Sequence, residues 1–140
     1  MEKPVILSLR GVQHYGGQEP DTIELITEGI LRRHPTGWEL CYEESALTGL
    51  EGVHTSFLIE PDCVTLTRTG KLRSQMVFQK NVPYDSLYEM EFGDMMITVC
   101  ATAIRSELSF AGGKVDLKYT IEIEKNTAGT VDYHLKVKPK

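Results

Sequence analysis

The chain has 140 residues and a net charge of −5, with 41% apolar and 25% charged residues. That length suits one domain, 1–140, able to bury roughly two-thirds of its unfolded surface without a disulfide or a metal. The acidic balance argues against nucleic acid and against an anionic membrane surface, which both favour basic faces.

In chain order, the dominant period is two. Ile23, Leu25, Thr27 and Gly29 alternate with Glu24, Ile26 and Glu28. Val64, Leu66 and Arg68 alternate with Cys63, Thr65 and Thr67, and Leu117, Tyr119, Ile121 and Ile123 with Lys118, Thr120, Glu122 and Glu124. Neighbouring side chains of a strand point to opposite faces, so this pattern reads as half-buried strands. Turn signals separate them: His34-Pro35-Thr36-Gly37, Pro61-Asp62, Thr69-Gly70-Lys71, Gly112-Gly113 and Asn126-Thr127-Ala128-Gly129. Strands are expected at 5–13, 22–33, 38–44, 52–60, 63–69, 72–79, 84–92, 94–106, 114–124 and 130–138. Tyr84–Met90 is the best short helical candidate, with a strand equally favoured.

Ten short strands with tight turns form a meander whose edges must be hidden, and closure into a barrel does this. The expected fold is therefore all-β, a single antiparallel up-and-down barrel, with a two-sheet sandwich as the alternative. The two-residue Pro61-Asp62 loop sets Glu60 beside Cys63, then Ile59 beside Val64, Phe57 beside Leu66 and Thr55 beside Arg68. The next hairpin places Met76 beside Leu66 and Phe78 beside Val64. The interior face then carries Val53, Thr55, Phe57, Ile59, Val64, Leu66, Arg68, Met76 and Phe78.

Arg68 is the most informative residue. A guanidinium on an interior face stays charged and requires a carboxylate, water or a ligand anion, unless it reaches solvent past the rim. Glu44 shares the parity of Leu40 and Tyr42 and is a candidate partner, as is Glu51. Glu43 and Glu44 lie on opposite faces and cannot act together on one atom. His14, His34, His54 and His134 have no metal-ligand spacing, so no metal or cofactor is expected. Cys41, Cys63 and Cys100 are odd in number, far apart and without C-x-x-C spacing, so they are expected to be reduced, with Cys41 facing outward or into a layer covering the barrel. Thr48-Gly49-Leu50-Glu51-Gly52 lacks a phosphate-loop ending and reads as a loop needing positive φ at its glycines. Val5–Leu9, broken by Ser8 and stopped by Arg10, is too short for a secretion signal, so a cytoplasmic location is expected.

Several segments occur in an order that resembles one family. They are Leu40-Cys41-Tyr42-Glu43-Glu44, Thr48-Gly49-Leu50-Glu51-Gly52-Val53-His54-Thr55, Val64-Thr65-Leu66-Thr67-Arg68-Thr69-Gly70, Gln75-Met76-Val77-Phe78, Ile97-Thr98-Val99 and Gly112-Gly113-Lys114-Val115-Asp116-Leu117-Lys118-Tyr119. Together they resemble the YwiB-like family of small bacterial proteins of unknown function, over residues 4–138. The resemblance implies a lipocalin-like, or calycin, barrel and transfers no catalytic residue. Where relatives often carry a Thr-Pro-Tyr-Gly-type turn, this chain has Glu91-Phe92-Gly93-Asp94.

Three functions follow as expectations. The first is a binding module for a small apolar or anionic ligand, with Phe57, Leu66, Met76, Phe78, Tyr42 and Tyr119 as walls and Arg68, Thr55 and Glu44 as polar contacts. The second is a protein-interaction barrel marked by Trp38 and Tyr133 if these are exposed. The third is an enzyme using Arg68 with Glu44 or Tyr42. A small-molecule ligand and a homo-oligomer both suit the sequence, which names no protein partner and, as its charge suggests, no nucleic acid or membrane.

Overall fold

The computed structural model describes residues 1–14, 19–45, 50–90 and 92–140, and the side chain of Thr127 is not among those described. The strands are β1 (Glu2–His14), β2 (Asp21–His34), β3 (Gly37–Glu43), β4 (Val53–Glu60) and β5 (Cys63–Gly70), followed by β6 (Ser74–Gln79), β7 (Pro83–Met90), β8 (Gly93–Ser109), β9 (Gly112–Ile123) and β10 (Asn126–Pro139). All ten expected strands are present, and Tyr84–Met90 lies in a strand. They form one antiparallel sheet in the order β6-β5-β4-β3-β2-β1-β10-β9-β8-β7. Because β1 pairs with β10 from Val5↔Pro139 to His14↔Thr130, the first and last strands lock together and the sheet curls into a barrel, not a sandwich.

The remaining edges are β6 and β7. They meet through two isolated bridges, Arg73↔Glu89 and Gln79↔Val82. The barrel is thus nearly closed, with its seam in the middle of the chain.

The β4–β5 register is the one the Pro61-Asp62 turn dictates: Glu60↔Cys63, Ile59↔Val64, Phe57↔Leu66 and Thr55↔Arg68. Leu66↔Met76 and Val64↔Phe78 follow in β5–β6. Parity then fills the interior with Val5, Leu7, Leu31, Leu40, Val53, Phe57, Ile59, Val64, Phe78, Val99, Val115, Leu135 and Val137, all buried. At one end Trp38 packs edge-on against Phe110 at 4.9 Å, with the Arg33 guanidinium 4.7 Å from the indole. At Gly37 a Cβ would overlap the Ile59 carbonyl, so glycine permits this close approach of β3 to β4.

Two local features stand out, the first of them a correction. The reversal before β10 is at Glu124-Lys125, both with positive φ (51° and 66°), not at Asn126–Gly129. Positive φ at both central residues gives the twist that a two-residue hairpin needs. The Asn126–Gly129 stretch instead opens β10, with a register shift between Thr127 and Gly129. Second, β8 carries a bulge between Ala101 and Ala103. The extra residue flips parity, so that Ile97, Val99 and Ala101 pair inward before it and Ile104 opposes inward-facing Leu117 after it. Of the 48–52 loop, Thr48 and Gly49 lie outside the described residues, whereas Gly52 has φ 90° as expected. Glu91 also lies outside them, and its neighbour Phe92 is 97% exposed between β7 and β8.

Candidate functional site

Eight strands make a barrel that side chains just fill. Ten make a wider one, and here the half remote from Trp38 holds a half-open cavity of about 430 Å³. That volume lies within the range of small-molecule sites. Its apolar wall includes Leu9, Phe57, Leu66, Met76, Phe78 and Leu117, and its polar groups include Tyr42, Glu44, Arg68, Tyr88, Tyr119 and Tyr133. Eight of the nine residues singled out from the sequence line this one cavity. The ninth, Thr55, is fully buried beside it and acts through Glu44.

Arg68 is inside the barrel, not stretched past its rim: its side chain is 18% exposed. Val64 and Leu66 carry it there by parity, and pairing with Thr55 fixes its depth. Its Nη1 donates to the Tyr88 hydroxyl at 3.2 Å, and its Nε lies 4.0 Å from Glu44 Oε2. Glu44 follows the last residue of β3, and its side chain is 1% exposed. The Thr55 hydroxyl donates to Glu44 Oε2 at 2.6 Å. The Nε of Arg68 is buried and has no hydrogen-bond partner among the described residues. Glu51, the other proposed partner, is exposed in the turn before β4.

The electrostatics follow from burial. Desolvation alone would lower the Arg68 pKa, but Tyr88, Tyr42, Glu44 and Tyr133 favour the cation and the balance is upward, so the charge is permanent. Burial pushes the Tyr42 and Tyr133 hydroxyls well above the usual tyrosine range, despite the opposing pull of Arg68. Tyr119 is pushed up to about 12 for the same reason, again against Arg68. These phenols therefore stay neutral hydrogen-bonding groups at ordinary pH. Phe78 stacks at a tilt on Tyr119 with centroids 4.6 Å apart, and Phe57 lies 6.0 Å from Tyr133.

Glu43 and Glu44 do face opposite ways: Glu43 is outside, bonded to His54 at 2.6 Å. His134 pairs with Asp116 and His14 with Asp132, also away from the cavity. No group of three or more His, Cys, Asp or Glu side chains suited to a metal ion occurs among the described residues. The three cysteines are free and partly buried, with Cys41 on the outer side near Glu39.

The two residues that would have marked a contact surface if exposed are not exposed. Trp38 is half-buried under Phe110, and Tyr133 lines the cavity. Parity with Val131, Leu135 and Val137 places Tyr133 inside. Tyr88 was not anticipated at all; the same alternation, with buried Ser86 beside it, points it inward.

No helix among the described residues is long and apolar enough to cross a membrane. A search of curated proteins finds no match. The crystal structure of the ywiB protein from Bacillus subtilis is similar, with a TM-score of 0.88 and 20% identity, covering 99% of this chain and 93% of that one. At that identity the likeness speaks for the barrel alone. The family model described as a domain of unknown function, DUF1934, matches residues 7–135, and the chain belongs to that family.

Proposed function

We propose that this barrel is a binding module that holds a small molecule with an apolar body in its lumen and an anionic group at Arg68. The observation that carries the reading is the Arg68 guanidinium, largely buried in a mainly aromatic and aliphatic cavity, where its Nε lies 4.0 Å from Glu44 and makes no hydrogen bond among the described residues. Binding sites commonly join an apolar wall to a few converging polar groups, and arginine suits carboxylates and phosphates. Glu44 and the tyrosine hydroxyls keep the cation oriented, and Phe57, Met76 and Phe78 supply contact for the apolar part.

Calorimetric titration with decanoate and with 1-decanol tests this. Decanoate is expected to bind one to one, at least about tenfold more tightly than the alcohol, a difference of about 1.4 kcal/mol. Arg68→Met should bring the two ligands to similar affinity. A folded wild type that binds neither would overturn the reading.

A further inference from the structure

Arg68 has a second side. Besides the lumen it lines a cleft of about 340 Å³ in the β6–β7 seam, together with Thr67, Arg73, Ser74 and Ser86. The cleft follows from topology. β6 and β7 are joined at Arg73–Glu89 and Gln79–Val82, and no strand ladder joins the residues between those bridges. Ser74 sits directly across from Arg68 on β6, and Ser86 faces the seam from β7.

Both serines are deeply buried, 8% and 4% exposed. Neither hydroxyl oxygen, nor Arg68 Nε, has a hydrogen-bond partner among the described residues. A buried polar group without a partner is costly, and most native ones are satisfied. Here the two serines and Arg68 line one cleft, and all three side chains can donate. Two hydroxyls and a guanidinium N–H form a donor set for an oxygen-rich anion. The nearby carboxylates are otherwise engaged. Glu89 is bridged to Arg73, and Asp85 is held by Lys125 at 2.9 Å and Thr98 at 2.7 Å. Glu44 meets Arg68 from the lumen side.

We propose that the seam is an oxyanion site, in which a carboxylate or phosphoryl group enters between β6 and β7 and is held by Arg68, Ser74 and Ser86. It rests on the lumen reading only for the apolar body that such a group would carry inward. The same oxyanion chemistry is offered by free phosphate and by the head group of an amphiphile.

The test is calorimetry of the wild type and of the Ser74→Ala/Ser86→Ala double variant with inorganic phosphate, decyl phosphate and 1-decanol. The wild type is expected to bind decyl phosphate, and the double variant to bind it at least about tenfold more weakly with decanol affinity unchanged. Decyl phosphate bound far more tightly than inorganic phosphate assigns the site to a head group; equal affinities assign it to the free ion. In oxyanion-free buffer the Tm of the double variant should be no lower than that of the wild type, because the hydroxyls removed have no partner. A Tm several degrees lower would show that those hydroxyls are engaged within the protein and would overturn the proposal. So would undiminished oxyanion binding by the variant, or no oxyanion binding by the wild type. Undiminished binding of both decyl phosphate and decanol leaves the lumen reading standing and removes the seam. Serine-dependent phosphate binding without any decanol or decanoate binding does the reverse.

Discussion

The Thr55 hydroxyl donates a 2.6 Å hydrogen bond to the buried Glu44 carboxylate, and the same Thr55 stands directly across β4–β5 from Arg68. One threonine thus ties together the anion and the cation of the lumen. Thr55→Val keeps the shape but removes the donor to a buried charge, and is expected to cost about 2 kcal/mol in urea unfolding.

Arg68→Ala leaves Glu44 buried without its cation and should cost on the order of 3 kcal/mol. Adding Glu44→Gln to Arg68→Ala should recover part of that loss, since the buried charge is gone. Unfolding midpoints of the two singles and the double form a cycle that reads the coupling. Additive effects would mean that the 4.0 Å approach carries no energy.

The buried tyrosines predict an alkaline limit. The folded-state pKa of Tyr119 is about 12, above its ordinary value near 10, and those of Tyr42 and Tyr133 are raised as well. Above pH 10 the unfolded chain releases these protons first, so it binds fewer protons than the folded one and stability falls as pH rises. Stability is unaffected by these groups below pH 10, and between pH 10 and 12 Tyr119 alone should remove on the order of 2 kcal/mol. Absorbance of phenolate near 295 nm, followed alongside unfolding, should show late ionisation that coincides with loss of structure. Independent titration of all tyrosines near pH 10 in the folded state would contradict this.

Cys41 and Cys63 have thiols whose pKa values are raised, chiefly by burial, so the reactive thiolate is scarce at neutral pH. Iodoacetamide at neutral pH should modify both slowly in the folded protein and rapidly in urea, as read by mass spectrometry. The intact mass should be unchanged by reductant, because all three cysteines are free.

Much of this fold was legible in the sequence because period two is strong and the turns are short. The Pro61-Asp62 loop leaves one register that keeps Phe57, Ile59, Val64 and Leu66 on a single face, and that register is the one observed. Position on the interior face was therefore readable for Arg68, and so was Glu44 as its carboxylate neighbour, but Tyr88 was not. Tyr88 reaches Arg68 from a strand twenty residues away, across a seam that local patterns do not encode. The bulge at Ala101–Ala103 was likewise hidden, since neither residue is large enough to betray the change of face. The side of Tyr133 was left open for a different reason: a tyrosine suits an exposed anchor and a cavity wall equally, and only its parity with Val131 and Leu135 separates the two. Whether the barrel is hollow depends on summed side-chain volumes around ten strands, which no single segment reveals.

The central claim, that the lumen houses a ligand oriented by Arg68, is tested most directly by a crystal structure with 10-bromodecanoate. Anomalous scattering should place the bromine within the apolar cavity among Phe57, Met76 and Phe78, with the carboxylate within hydrogen-bond distance of the Arg68 guanidinium. A bromine found only on the outer surface, or a carboxylate turned away from Arg68 with the chain reversed, would contradict it.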